Sequence, residues 1–554
     1  MASETDRIFA NFKEHSVAEF FKKNRQMLGF SGKTRSLTIL VHEYVTNSLD
    51  ACEEAGILPE ISVRIVESGP EQYKVTIQDN GPGIPKKHLG KALGQMLAGT
   101  KFHRYAQQRG QQGIGASGCT MYAQITTGKP VHVISEYSGQ RISADISVDL
   151  KTNSPLLSNV VEEGVPGDSH GVRVEGEFGE CKYDRSSGGA FEYIKRTALA
   201  NPHATLTLIE PSGDKSAFPR SHDQVPPRPK EVQPHPLGLT VSNIVDLAHR
   251  NGPSLKISQF LQNQLQRVSA AKVDELSKLL DGHTDGLPAV DFGKPAKDLT
   301  WPEAEGLVRS FAHPAVKWMA PASDCLRPIG SEQIKTSLQH ILAPDFSAVT
   351  ERPPKIYKGG IPFQVEAALA WGGQAGRRSG DSTGGDIMRY ANGAPLLFDN
   401  SGCAITQAIK DVDWKRYNIK DFDQTPITVF VNLVSVHVPY TSAGKQAISD
   451  EQEVYIEIKN AVMDAARKLQ LHLAGIHRER DRIERRKAVL RYVAQLSKDL
   501  SDLAETGKAD LLEAKLRHLI ETKYMGQIME GEDDAPPGGN GKNGNGKDEE
   551  DEEE

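Results

Sequence analysis

The chain has 554 residues, of which 38% are hydrophobic, 6% aromatic and 25% charged. A typical domain size of roughly 150 residues predicts about three or four domains, and this composition excludes a fibrous or largely disordered protein. No apolar run reaches the roughly 20 residues that cross a bilayer, and the first residues lack the basic and apolar segments of an export signal. We therefore expect a cytoplasmic protein.

The net charge of -7 is unevenly distributed along the chain. Eleven acids and two lysines between 530 and 554 carry -9, so the remainder carries +2. Because this segment has almost nothing apolar to bury, we predict a disordered acidic tail. The five cysteines are widely spaced and form no CxxC pair, which favours small buried side chains over a zinc site or disulfide framework.

The first 215 residues predict a layered α/β domain. Segment 36–56 has the apolar spacing of a helix and ends at a glycine, whereas 61–67 and 73–79 alternate as half-buried strands do. A proline-rich linker follows at 221–238, where neither helix nor sheet can continue.

The rest of the chain predicts three further parts. Short amphipathic segments at 239–250, 254–266 and 270–282 indicate a small helical insert. Strand-like runs at 361–373, 394–400 and 426–440 indicate a second α/β domain. Residues 451–496 keep a helical pattern without proline, so a long helix is expected.

Three motifs near the N-terminus contain residues that could bind a ligand or take part in catalysis. Glu43, Asn47 and Asp50 fall on one face of the predicted helix, a pattern that by itself is typical of a solvated stripe. Asp79 ends a strand, where its carboxylate could accept a hydrogen bond from an exocyclic amine, and Gly81 and Gly83 would let the backbone approach a flat ring.

The third motif is a glycine-rich run from 110 to 118, whose unhindered N–H groups suit a phosphate cradle at a helix N-terminus. It contains a formal GxGxxG, from Gly113 to Gly118, but no buried strand precedes it as a Rossmann site requires. A P-loop is also excluded, because Gly444-Lys445 lacks the upstream glycine and the following Ser or Thr.

The ordered set of Glu43-x-x-x-Asn47-x-x-Asp50, Asp79-x-Gly81-x-Gly83 and Gly110-x-x-Gly113-x-Gly115 resembles the Bergerat (GHKL) ATP-binding fold of gyrase-type topoisomerases, Hsp90, histidine kinases and MutL. Longer stretches, among them EVQPHPLG, CLRPIG, RYANGAPLLFDNSGCAITQAI and VPYTSAGKQAI, resemble the B subunits of type IIB topoisomerases (topoisomerase VI). The resemblance covers residues 5 to about 470.

This resemblance implies a multidomain α/β fold. It comprises a GHKL α/β sandwich (1–228), a helix-two-turns-helix domain (229–306), a second α/β transducer domain (307–470), a long helical extension for partner binding (471–529) and the tail (530–554). The implied activity is ATP-driven passage of one duplex through a break in another. The implied partners are double-stranded DNA, a second copy of the chain on ATP binding, and the A subunit in an A2B2 heterotetramer, which would be nucleoid-associated.

The resemblance also implies site residues for ATP and Mg²⁺. Glu43 would be the general base, Asn47 the Mg²⁺ ligand, Asp79 the adenine acceptor, and Lys445 the cation at the γ-phosphate. The full implied ATP-binding set is Asn47, Asp50, Asp79, Gly81, Gly83, Thr100, Lys101, Gly110, Gln111, Gln112, Gly113, Ile114, Gly115, Ala116, Ser117 and Lys445. Val172 departs from the usual threonine, which removes one hydroxyl near adenine.

For DNA, the resemblance implies contacts by Trp414, Lys415 and Tyr417, although a half-buried surface strand would give the same pattern. In the helical insert, Lys256, Arg267 and Lys272 are candidate phosphate contacts. Two other functions stay open: an ATP-driven clamp or chaperone of the Hsp90 or MutL kind, and a scaffold with a degenerate site.

Overall fold

The computed structural model describes residues 16–101, 104–110, 112–251, 254–281, 286–377, 384–442, 444–505, 507–520 and 522. The chain divides into two compact units, 1–470 and 471–554. The predicted tail and Gln111 lie outside the described residues. Within those residues, no helix has both the length and the low polarity needed to cross a bilayer.

The first part of the larger unit is built on an eight-stranded sheet with the order β5-β4-β3-β6-β2-β1-β7-β8. Neighbouring strands are antiparallel except β1 and β7, which are parallel. The predicted strands at 61–67 and 73–79 are confirmed as β1 and β2, which pair with Val63 opposite Ile77. The strands are β1 (Glu60–Gly69), β2 (Gln72–Gln78), β3 (Val131–Tyr137), β4 (Gln140–Asp149), β5 (Ser154–Gly164), β6 (Gly171–Phe178), β7 (Thr205–Ile209) and β8 (Lys215–Phe218).

The described residues of this α/β part form five helices. Most of the strands alternate buried and less buried residues, and the buried ones join apolar helical residues in one core. The predicted helix at 36–56 is confirmed, and it ends at Gly56, whose left-handed backbone (φ 72°) suits glycine. The helices are α1 (Val17–Lys23), α2 (Lys33–Ala55), α3 (Lys86–Gly94), α4 (Gly115–Thr127) and α5 (Ala190–Ala200).

The predicted linker, 221–238, has no helix or strand as far as His235, but its last residues, Pro236–Gly238, form a short 3₁₀ helix. It is nevertheless bonded to the body: Lys230 N–H donates to Asp324 O at 3.0 Å, and Val232 N–H donates to Tyr105 O at 3.1 Å. The segment therefore lies along the protein as an ordered strap.

The predicted helical insert has a separate apolar core. Its helices are α6 (Val241–Asn251), α7 (Ile257–Gln264), α8 (Ala270–Leu279) and α9 (Trp301–Phe311). The predicted boundary at 306 is wrong, because it cuts α9. Leu307, Phe311 and Val316 are buried in the helical core, so this core continues past the boundary.

The second α/β part contains a six-stranded sheet with the order β10-β11-β14-β12-β13, and β9 pairs beside β10 along the same edge of β11. The predicted strand at 394–400 is mostly wrong: only Ala394–Pro395 pairs, because a short 3₁₀ turn begins at Asn400. The elements are α10 (Ser331–Leu342), β9 (Phe346–Glu351), β10 (Lys355–Tyr357), β11 (Ile361–Trp371), β12 (Asp386–Ala391), β13 (Ala394–Pro395), α11 (Ala404–Lys410) and β14 (Ile427–Ser435).

The predicted long helix is confirmed as α12 (Gln452–Leu503), which is followed by α13 (Ala509–Leu519). The first turns of α12 belong to the larger unit, where Arg352 binds both Glu457 and Asp464. All five cysteines are buried and free, as the sequence predicted.

A buried carboxylate joins the second sheet to the start of α10. Glu366 on β11 is fully buried and accepts bonds from Ile329 N–H at 3.1 Å, Gly330 N–H at 2.7 Å and Asn432 Nδ2 at 2.7 Å. Burial outweighs these donors and raises the pKa of Glu366 to about 7.

The raised pKa of Glu366 makes folding stability dependent on pH. Between an unfolded pKa near 4.5 and the folded value near 7, the folded state binds more protons, so stability is lost as pH rises, by on the order of 3 kcal/mol. The melting temperature of the parent should therefore fall more between pH 5 and pH 8 than that of Glu366→Gln. Thermal melts at both pH values check this, and equal falls in the two proteins would contradict it.

Candidate active site

The polar face of α2 divides between a cleft and the protein interior. Glu43 and Asn47 line the cleft. Asp50 does not: its side chain is buried and binds Arg109 Nη1 at 2.8 Å and Lys101 Nζ at 2.7 Å. The assignment of Asp50 as a direct nucleotide contact is therefore corrected, because two cations occupy its carboxylate.

Asp79 lies at the end of β2 beside a narrow apolar slot. Its carboxylate accepts bonds from Ser48 Oγ at 2.5 Å, Gly81 N–H at 2.9 Å and Val172 N–H at 3.1 Å. Burial raises the pKa of Asp79 despite these donors. The slot has an empty volume of about 490 Å³ and is also lined by Tyr44, Asn47, Ala51, Ile77, Pro82, Gly83, Ile84, Leu93 and Val174.

Gly83 and Val172 shape the slot in different ways. Gly83 has a φ of 77°, and a Cβ there would lie 2.1 Å from the Glu136 carbonyl oxygen, so the turn after Asp79 needs glycine. Val172 supplies its N–H to Asp79 and its side chain to the wall of the slot. Valine in place of threonine therefore removes a hydroxyl but keeps the main-chain hydrogen bond to Asp79.

The slot opens into a larger cleft that shares Asn47, Ile84 and Leu93 with it. Its wall includes Thr100 and Lys101 from the segment before the glycine run. It also includes the described members of that run, namely Gly110, Gln112, Gly113, Ile114, Gly115, Ala116, Ser117 and Gly118. The empty volume is about 1200 Å³, and the cleft is open to solvent.

The glycine run brings the start of α4 against Glu43. A Cβ on Gly115, the first residue of α4, would lie 1.8 Å from Glu43 Oε2. A side chain at position 115 would therefore displace this carboxylate. The free N–H groups and dipole of a helix N-terminus attract anions, so this wall suits phosphate groups.

A lysine from the second α/β part reaches the same cleft. Lys445 follows β14 in the chain and lines the cleft together with the glycine run. Its Nζ donates to the Arg109 carbonyl oxygen at 3.2 Å. Burial lowers the pKa of Lys445, while Glu43 and Asp50 oppose that shift.

Sequence reasoning missed a buried ion-pair network behind the cleft. Glu53 on α2 binds both Nη atoms of Arg109, at 2.8 and 2.9 Å, together with Arg327 and His203 Nε2, the latter at 2.8 Å. Burial alone would raise the pKa of Glu53, but these partners hold it well below its usual range. The partners lie more than fifty residues from Glu53, so no local spacing could reveal them.

The described residues include no cluster of three His, Cys, Asp or Glu side chains that could hold a metal ion. Asn47 is exposed in the cleft, and its amide oxygen lies 3.9 Å from where a Gly110 Cβ would be. One protein oxygen together with ligand phosphates is a usual way to hold Mg²⁺. The residues of the cleft therefore fit a metal that arrives with the nucleotide.

The predicted DNA residues form a 3₁₀ turn, Trp414–Tyr417, and not a surface strand. Trp414 and Tyr417 are 7% and 3% exposed, and Trp414 Nε1 donates to Ile409 O at 3.0 Å. These two aromatic side chains are therefore corrected from DNA contacts to core residues. Lys415 and Arg416 lie on the surface.

The three candidate phosphate contacts of the helical insert differ in how free their side chains are to reach DNA. Arg267 Nε donates to Ala320 O at 2.9 Å. Lys272 donates to Lys317 O and Glu275, and lies 5.3 Å from the centre of the Trp318 ring. Lys272 is thus held by several contacts, whereas Arg267, despite its one bond, and Lys256 are exposed.

The whole chain is similar to curated archaeal proteins. It is 45% identical to the B subunit of type 2 DNA topoisomerase 6 from Pyrococcus horikoshii, over 95% of this chain and 98% of the relative. The corresponding protein of Methanothermobacter thermautotrophicus is 44% identical, over 92% of this chain and 95% of the relative. The chain belongs to the family of type 2 DNA topoisomerase 6 B subunits.

Two family models locate the parts of this topoisomerase chain. Residues 32–152 match the histidine kinase-, DNA gyrase B- and HSP90-like ATPase, and residues 321–486 match the topoisomerase VI B subunit transducer. The chain is thus an ATP-driven type II topoisomerase component, an isomerase, and its ATPase domain is of the ATP-binding GHKL class. The family assignment excludes the Hsp90 or MutL alternative.

Solved structures are more distant. The 43K ATPase domain of Thermus thermophilus gyrase B is 14% identical, with a TM-score of 0.38 over 87% of this chain and 98% of that one. The ATPase region of Saccharomyces cerevisiae topoisomerase II is 10% identical, with the same TM-score over 84% of this chain and 99% of that one.

Proposed function

We propose that ATP binds across the slot and the cleft, with adenine against Asp79 and the phosphates along the glycine run. The observation that carries this proposal is the meeting of Glu43 and Lys445 in one cleft, although they come from different α/β parts of the chain. A base and a cation that line the same cleft suit hydrolysis of a terminal phosphate. Bound Mg²⁺, held by Asn47, would neutralise phosphate charge.

The individual roles follow from the surroundings. Glu43 lies beside the N-terminus of α4, where it orients and deprotonates the attacking water. The N–H groups from Gly113 to Ser117 bind phosphate oxygens. Lys445, which the Arg109 carbonyl holds at the cleft, contacts the γ-phosphate, so hydrolysis releases the second α/β part from the cleft.

We infer a wider assembly from family membership. ATP joins two copies of this chain, two A subunits complete an A2B2 heterotetramer, and the transported duplex is double-stranded DNA in a cytoplasmic, nucleoid-associated complex. Lys415 and Lys256 are exposed cations available to DNA phosphates. We assign the ATPase domain to 1–228, the helix-two-turns-helix domain to 229 through α9, the transducer up to 470 and the partner-binding helices to 471–529.

The proposal is tested by ATP hydrolysis with and without long duplex DNA, and by sedimentation with ADP or a non-hydrolysable ATP analogue. We expect DNA to stimulate hydrolysis and only the ATP analogue to give a dimer. A chain that hydrolyses no ATP in any mixture with DNA and the A subunit would overturn the assignment of the cleft. A monomer with the analogue would overturn the dimer.

Removing the adenine acceptor should weaken nucleotide binding. Asp79→Ala leaves the exocyclic amine and three protein donors without a partner, and losing a hydrogen bond to a charged group costs about 1.5–3 kcal/mol, or roughly 10- to 150-fold in affinity. Calorimetric titration with ATP and GTP checks this result. Because Asp79 recognises the amino group of adenine, the preference for ATP over GTP should also fall. An unchanged preference would contradict the role of Asp79 as the adenine acceptor.

A further inference from the structure

A continuous chain of buried ion pairs starts at the cleft and leads away from it. Lys101 Nζ binds Asp50 Oδ2 at 2.7 Å, and Asp50 Oδ1 binds Arg109 Nη1 at 2.8 Å. Arg109 then binds Glu53, which also binds Arg327. The side chains of Asp50, Glu53 and Arg109 are 8%, 4% and 6% exposed. Charges this far from water hold one another in a single geometry, since breaking any pair leaves a buried charge unpaired.

This chain of ion pairs holds both lysines of the cleft. Lys101 is held through its side-chain bond to Asp50. Lys445 is held through the main-chain oxygen of Arg109. The Arg109 guanidinium is in turn fixed by Asp50, by Glu53 and by Asn201 Oδ1 at 2.6 Å. The position of the carbonyl that receives Lys445 is therefore set by the buried charges behind it.

The far end of the ion-pair chain lies in the segment that enters the second α/β part. Arg327 binds Glu53 through its side chain, and its own N–H donates to Gln107 Oε1. Gln107 N–H donates to Cys325 O at 2.9 Å. Three residues after Arg327, Gly330 N–H donates to Glu366 on β11 at 2.7 Å. The same ion pairs therefore join the residue before the glycine run to the sheet whose strand β14 precedes Lys445 in the chain.

We propose that Arg109, Glu53 and Arg327 are positioning residues that preset Lys445 for the terminal phosphate and so determine how strongly the site prefers ATP to ADP. The inference rests on the proposed function, because it requires nucleotide phosphates in the cleft. A preset lysine contacts the γ-phosphate without first having to be ordered. A lysine released from its carbonyl must be ordered on binding, and that cost falls on ATP alone, because ADP offers no γ-phosphate.

The test uses Arg327→Gln and Glu53→Gln in the full chain. Affinities for ADP and for a non-hydrolysable ATP analogue are measured by competition with a fluorescent nucleotide, and kcat and KM for ATP are measured separately. We expect the ratio of analogue to ADP affinity to fall roughly tenfold and kcat to fall with it, while ADP affinity is retained. Arg327→Lys, which keeps a cation beside Glu53, should recover part of the ratio.

Arg352→Gln is the matched control. Arg352 also binds two carboxylates, Glu457 at 2.6 Å and Asp464 at 2.7 Å, with 26% of its side chain exposed, and neither it nor its partners lines the cleft. This variant should keep the parent ratio. Because Arg327 is partly exposed, its variant decides the question even if Glu53→Gln does not fold.

A folded Arg327→Gln protein with the parent ratio would overturn the positioning role, as would the same fall in Arg352→Gln. A parent chain that binds neither nucleotide would instead overturn the proposed function, and the inference with it. The two failures are therefore distinguishable.

Discussion

Replacing Glu43 with alanine is expected to leave ATP binding intact and to slow hydrolysis about 10²- to 10⁴-fold, the usual cost of losing a positioned base. The Glu43 carboxylate lies against Gly115 at the start of α4, where the terminal phosphate is proposed to bind, and away from the slot that holds Asp79. The change should therefore lower kcat far more than it raises KM.

Glu60→Ala is the control for this result. Glu60 begins β1, and its side chain is 59% exposed and binds Arg220 on the surface. It should therefore have the parent rate. Single-turnover hydrolysis and equilibrium ATP binding measure the two effects separately. A Glu43→Ala protein that hydrolyses ATP at the parent rate would show that another group activates water.

The second large effect is expected from Lys445→Ala. Loss of the cation at the γ-phosphate should lower kcat by about 10²- to 10³-fold, as the loss of other groups that stabilise transition-state charge does. It should also abolish the difference between the ATP-analogue and ADP states, because the proposed link between the two α/β parts is gone. The left-handed φ of 52° at this residue is retained, since lysine and alanine both carry a Cβ.

Small-angle scattering with ADP and with the non-hydrolysable analogue measures this link. Lys358→Ala is the control, because Lys358 lies on the surface of the same α/β part and binds Glu451. The parent and the control should give two distinct curves, and Lys445→Ala should give one. If Lys445→Ala still gives different scattering curves with the two nucleotides, a contact other than Lys445 responds to the γ-phosphate.

Local patterns in the sequence predicted much of the site. Helical spacing identified the face that carries Glu43 and Asn47, and the end of an alternating strand identified Asp79. The glycine run was recognisable from its composition, and the structure places its Gly115 against Glu43, whose carboxylate a Cβ at 115 would displace. Lys445 was predicted only from family resemblance, because nothing near it in the chain indicates a cleft.

The errors have a common physical cause. A periodic pattern predicts which face a residue occupies but does not predict what lies opposite, and Asp50 shares the face of Glu43 yet is bound by Arg109 and Lys101. Trp414 and Tyr417 looked like surface aromatics because the 3₁₀ turn that buries them has no simple repeat. The boundary at 306 failed because α9 packs on the helices before it.

We propose that this chain drives strand passage with ATP and that the A subunit cuts the DNA. Reversible cutting of duplex DNA needs a nucleophile held beside bound metal. The most direct test is a supercoiled plasmid incubated with ATP and Mg²⁺, with the chain alone or with the A subunit. The chain alone should leave the plasmid unnicked and its linking number unchanged, whereas the pair should relax it only when ATP is present. Covalent protein–DNA adducts formed by this chain alone would contradict the account.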